Sequence, residues 1–81
     1  MKVSIDISLY PLHPDYREPI INFIENLKKS NFKIVENPLS TQIYGDYDEV
    51  MSFLKQHIKD VFYDEKLYVF VLKVIKGDRS V

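Results

Sequence analysis

Seven polar or aromatic side chains carry whatever chemistry this sequence has. Ser40, Thr41 and Gln42 stand in a row, and Asn37 precedes them in "NPLSTQIYG". Asp6, Ser8 and Tyr10 alternate along "MKVSIDISLYPL". Hydroxyls, two side-chain amides, one carboxylate and a phenol ring are tools for holding a small planar polar molecule. A carboxylate or amide pairs with an aminopyrimidine-like edge, hydroxyls fix orientation, and tyrosine offers a stacking face. They are poor tools for catalysis. The chain has no cysteine, and no serine has a histidine and an acid at a recognisable spacing. The only glycines are Gly45 and Gly77, so no phosphate-cradling loop can form. Zinc-thiolate sites and disulfides are excluded, and the two histidines, His13 and His57, make no ligand pair by spacing.

The elements that must position these residues are legible in the periodicity. From Lys2 to Tyr10, Val3, Ile5, Ile7 and Leu9 alternate with Ser4, Asp6, Ser8 and Tyr10, which predicts a strand with one buried face. Prolines 11 and 14 stop it. Asp15 to Lys29 reads as a helix with a stripe of Tyr16, Ile20, Phe23, Ile24 and Leu27, opened by Asp15 and Glu18 at capping-box spacing. Phe32 to Glu36 is a short strand, "ENP" a turn, and Leu39 to Gly45 a third strand in a tight hairpin with the second. Asp46 with Glu49 opens a second helix whose stripe is Val50, Phe53, Leu54, Ile58, Val61 and Phe62. His57 falls on that apolar seam as a boundary residue, and His13 reads as exposed in its proline-flanked loop. Lys66 to Lys76 is a fourth, long strand, and "GDRSV" is a polar tail. The order β-α-β-β-α-β predicts one α+β domain of the ferredoxin-like kind over residues 1–81. Two helices cover one face of a four-stranded antiparallel sheet.

Covering one face leaves the other free. The third strand is expected to give Leu39, Thr41 and Ile43 to the covered face and Ser40, Gln42 and Tyr44 to the free one. Asp6, Ser8, Tyr10, Ser40 and Gln42 then gather on the free face, with Asn37 and Thr41 close by. The fourth strand is apolar on both sides, Leu67, Val69 and Val71 against Tyr68, Phe70, Leu72 and Val74. The sequence leaves open which side meets the helices. Leaving such side chains in water forgoes roughly 1.5–3 kcal/mol each. An exposed apolar patch of this kind usually marks an interface, so pairing with a second copy is expected. A cover made by the chain's own tail is the alternative. Pairing would also support an 81-residue domain with a modest core.

Eleven basic and twelve acidic residues leave a net charge of −1, which gives no electrostatic footprint for nucleic acid or anionic membrane. RNA-recognition modules share the element order, but they need aromatics within a basic, glycine-containing motif on the inner strands, and "LSTQIYG" is not one. Acylphosphatases share it too, yet Arg17 lacks the loop they require. The alternating N-terminus is not signal-peptide-like, and no apolar run is long enough to span a bilayer. A cytoplasmic protein is expected.

"SLYPL", and then "ENPLSTQIYGDYDEVM" running from hairpin into helix, resemble the thiamine-binding protein family of the YkoF-like group over almost the whole chain. The resemblance implies sheet-mediated homodimers or homotetramers that bind thiamine or its hydroxymethylpyrimidine part without catalysis and without a further cofactor. It carries the family's motif onto Ser40, Thr41 and Gln42, its first-strand positions onto Ser8 and Tyr10, and its hairpin position onto Asn37. Asp6 is added by the face argument alone. For each of these residues an ordinary role competes. The polar row suits a solvated strand face, Asp6 a partner for a lysine on the fourth strand, and Tyr10 or Tyr44 interface packing. A structural or protein-interaction oligomer without a small ligand is therefore the rival reading.

Overall fold

The computed structural model describes residues 1–15 and 17–80. Tyr16 of the predicted helical stripe and Val81 of the predicted tail lie outside the described residues. The elements run β1 (Lys2–Pro11), α1 (Arg17–Lys28), β2 (Lys33–Glu36), β3 (Thr41–Asp46), α2 (Tyr47–Phe62) and β4 (Tyr68–Lys76). They form a four-stranded antiparallel sheet in the order β2-β3-β1-β4, with the helices packed on one face. This is the ferredoxin-like α+β fold.

Alternation dictates what each face holds. Val3, Ile5 and Ile7 of β1 and Ile43 of β3 point at the helices, where Phe23 and Leu27 of α1 and Val50 and Leu54 of α2 meet them. All eight are buried. Burying each such side chain contributes roughly 1.5–3 kcal/mol, so this cluster is the main driving force for the fold. The helical spacing of Phe23 with Leu27, and of Val50 with Leu54, is what puts each pair on one side of its helix.

The starts and stops follow local chemistry. Asp46 is the N-cap of α2, extended at φ −70° and ψ 136°, and its Oδ2 accepts from the Glu49 amide at 3.2 Å. That bond and the neighbouring positive charge of the Met1 amine hold the Asp46 carboxyl below its ordinary value. Asp15 meets Lys66, with Oδ2 3.6 Å from Nζ. Lys28, in the last turn of α1, pairs with Glu36 at 3.0 Å and ties the helix end to β2.

Several expectations are corrected. Strand β3 begins at Thr41, not Leu39, and Leu39 is 88% exposed instead of covered. The Asn37 side chain takes the amides that would otherwise extend the strand. Its Oδ1 accepts from Leu39 N at 3.1 Å and Ser40 N at 3.0 Å, which makes a turn of residues 37–40. Strand β4 begins at Tyr68, because Asp64 binds the Lys66 amide at 3.0 Å and holds the chain in a loop until then. His13 is half-buried, not exposed. Its ring stands edge-on to Tyr68 with centroids 5.0 Å apart.

The registers settle the ambiguity of the fourth strand. Leu72 pairs with Ile7 and Phe70 with Leu9, so Tyr68, Phe70, Leu72 and Val74 lie on the helix side. Phe70 packs between Phe23 and Phe62, at centroid distances of 5.1 and 5.6 Å. Val69, Val71, Lys73 and Ile75 lie on the free face beside Tyr10, Ser8, Asp6 and Ser4. The tail does cover part of that face. Ser4 Oγ donates to the Gly77 carbonyl at 2.7 Å and accepts from the Arg79 amide at 2.8 Å, and Lys33 Nζ donates to the Ser80 carbonyl at 3.2 Å. Ser4 is therefore buried while Val71 remains 54% exposed. None of the described helices is long and apolar enough to cross a membrane.

Candidate functional site

The period of two splits the polar row. Thr41 points to the helix side and is buried, whereas Ser40 and Gln42 are half-buried on the other side. Asp6 and Gln42 are register partners on β1 and β3. Gln42 Nε2 donates to Asp6 Oδ1 at 3.0 Å and lies 2.9 Å from Ser40 Oγ. Gln42 Oε1 accepts from Asn37 Nδ2 at 3.1 Å. The Ser40 hydroxyl, the Gln42 amide and the charge of Lys73 hold the Asp6 carboxyl below its ordinary value. Lys73 is its register partner on β4.

A cavity of about 220 Å³ lies where the end of β1, the 37–40 turn and α1 converge. Ser8, Tyr10, Asn37, Ser40 and Thr41 line it, along with Ile20, Phe23 and Ile24 of α1 and Pro38 and Leu39 of the turn. Five of the seven residues singled out by sequence therefore line one half-open pocket. Asp6 and Gln42 are not among its walls. The cavity is not on the free sheet face where the sequence places the binding surface. It sits at the end of the sheet, roofed by the hairpin. Ser8 Oγ donates to the Leu39 carbonyl at 3.5 Å and ties the turn to β1.

The apolar wall from α1 is absent from the residues that sequence reasoning names as site. Ile20 and Ile24 look like ordinary stripe residues. Nothing in the sequence separates them from the rest of that stripe. Polar groups on one wall and aliphatic side chains on the other suit a small heteroaromatic ring.

A larger groove of about 720 Å³ runs between the two helices near Tyr68. Asp15, Arg17, Glu18, Asp60 and Lys66 on its walls are all exposed, so water solvates it, and none of the seven residues reaches it. Its floor holds one strong contact. Tyr68 Oη donates to Asp64 Oδ2 at 2.7 Å, which pushes the Tyr68 hydroxyl up to about 12. Among the described residues no group of three or more His, Cys, Asp or Glu side chains converges to hold a metal ion.

Comparison with known proteins agrees with this architecture. A structural-genomics protein of Streptococcus pneumoniae superposes with a TM-score of 0.87 at 25% identity, over 98% of this chain and 90% of that one. A Thermotoga maritima structure described as a candidate thiamine biosynthesis/salvage protein gives 0.84 at 25% identity, over 95% and 85% of the two chains. A hypothetical protein of Methanocaldococcus jannascii gives 0.80 at 27% identity, over 99% and 84%. No curated protein sequence matches the chain. Residues 2–74, which span every strand and helix that builds the cavity, match the YKOF-related family, and the chain belongs to that family.

Proposed function

We propose that this chain is a cytoplasmic, non-catalytic binding protein for the hydroxymethylpyrimidine ring, taken alone or as part of thiamine, and acts as a carrier, buffer or sensor. The observation that carries the reading is the cavity where Ser8, Tyr10, Asn37, Ser40 and Thr41 meet the aliphatic wall of α1. Its volume of about 220 Å³ is below the roughly 300 Å³ at which pockets for drug-sized ligands begin. A single ring suits it, with the rest of thiamine left outside. Membership of the YKOF-related family and the Thermotoga maritima neighbour point the same way. Calorimetric titration with hydroxymethylpyrimidine and with thiamine tests it. Heat and a raised melting temperature with the pyrimidine are expected. No signal with either ligand at millimolar concentration sinks the reading.

A second observation supports self-association, whether or not a ligand binds. Strand β4 is an edge strand, and Val69, Val71 and Ile75 are exposed on its free face. Unpaired edges with exposed apolar side chains favour pairing with another chain. This supports a homodimer or homotetramer formed through the sheet. Val71→Asp would place a charge in the contact. Light scattering at micromolar protein should then show the wild type as an oligomer and the variant as a monomer; a monomeric wild type removes the self-association part.

A further inference from the structure

Both ends of the Gln42 side chain are engaged within the protein. An amide offers two N–H donors and one carbonyl acceptor group. Here Nε2 faces both Asp6 Oδ1 and Ser40 Oγ, and Oε1 takes the Asn37 Nδ2 proton. Asn37 in turn holds the backbone N–H groups of Leu39 and Ser40 with Oδ1, and its own backbone N–H donates to the Ser40 carbonyl at 3.1 Å. Another side chain that reaches the turn is Ser8, whose hydroxyl donates to the Leu39 carbonyl over a long 3.5 Å. Asn37, Pro38 and Leu39 are all exposed. Yet these residues and Ser40 form one wall of the cavity.

We infer that Gln42 is a positioning residue that acts through the turn: anchored on Asp6, it holds Asn37 and so keeps residues 37–40 in the shape that walls one side of the cavity. The Asp6 carboxylate makes the Gln42 contact charge-assisted, roughly twice as strong as a neutral one. Lys73 faces Asp6 from β4, Gln42 faces it from β3, and Ser40 faces it from the end of the turn. The helices lie on the opposite side of the sheet. For ligand affinity the inference rests on the binding reading above; for the order of the turn it does not.

The test uses the full chain, isotopically labelled, with Gln42→Leu, Asp6→Ala and Asp6→Asn. Backbone order parameters at 37, 39 and 40 should fall from near 0.85 to below about 0.6 in Gln42→Leu and Asp6→Ala. Asp6→Asn keeps an acceptor oxygen and should retain most of the order. Amide signals of Ile5 and Ile43 should stay in place and report an intact sheet. Hydroxymethylpyrimidine should bind roughly three- to tenfold more weakly to Gln42→Leu, the effect of losing one net hydrogen bond. An ordered turn in Gln42→Leu overturns the inference, and weakened binding with an ordered turn does so as well, since Gln42 would then be a direct ligand contact. If Gln42→Leu does not fold, Asp6→Ala decides. If the wild type binds no pyrimidine, the functional reading fails and the order parameters still decide the role of Gln42.

Discussion

Tyr68 donates its hydroxyl to Asp64, four residues earlier, at 2.7 Å, and the same carboxylate holds the Lys66 amide at 3.0 Å. One acid thus closes the loop that delivers the chain into β4. The hydrogen bond to Asp64, then burial, then the Asp64 charge push Tyr68 up to about 12. Tyr68 should therefore ionise well above the ordinary phenol value in a titration followed by tyrosinate absorbance, and Tyr68→Phe should remove that high-pH step. A raised acid stabilises the fold fully below its unfolded value, near 10, and loses the contribution as pH rises through 12. Asp64 is lowered, first by the Tyr68 hydrogen bond and then by the Lys66 amide. Its contribution is present above 3.8 and is lost as pH falls below that value. The melting-temperature gap between wild type and Tyr68→Phe should narrow at both extremes.

Gly45 is required by close approach. An added Cβ would stand 2.8 Å from Phe32 Cδ1 and 3.0 Å from Val50 Cγ2. Phe32 is packed edge-on against Phe53 at a centroid distance of 5.4 Å, so its movement strains a second ring. Gly45→Ala should destabilise the domain by about 1–3 kcal/mol, measured by urea unfolding, with an unchanged denaturant slope.

Ser4 is buried because the tail lies over it. Ser4→Ala leaves the Gly77 carbonyl and the Arg79 amide without this partner. A cost of about 1–3 kcal/mol is expected in equilibrium unfolding. The amide of Arg79 should also lose protection from hydrogen exchange, whereas that of Ile43 should keep its own until global unfolding.

Thr41 separates ligand chemistry from packing. Thr41→Val preserves the outline of the side chain and removes only the hydroxyl at the cavity wall. Pyrimidine affinity should drop roughly three- to tenfold in calorimetry while the fold persists. Unchanged affinity would move the site away from this wall.

Legibility differed by element. Strand β1 was readable to within one residue, because strict alternation from Val3 to Leu9 has no rival interpretation. Helix α2 was readable to its cap, since Asp46 and Glu49 announce it. The start of β3 was not. Leu39 looks like a strand residue by type, and only the Asn37 side chain, bonded to the backbone two and three residues on, takes it out of the sheet. His13 misled for a similar reason: flanking prolines suggest exposure, and nothing nearby in sequence announces Tyr68, against which it packs.

The sequence by itself determined the order of elements, the covered face of β1 and β3, and the small set of polar residues worth watching. These follow from local period and turn chemistry, which neighbouring residues write directly. Tertiary structure alone decided which side of β4 meets the helices, how far the tail covers the free face, and where the cavity lies. Each of those depends on register between strands distant in the chain, and one residue of slip exchanges the two faces. That is why Thr41 and Gln42, adjacent in sequence, part company in space, one at the wall of a cavity and the other outside it, holding the turn.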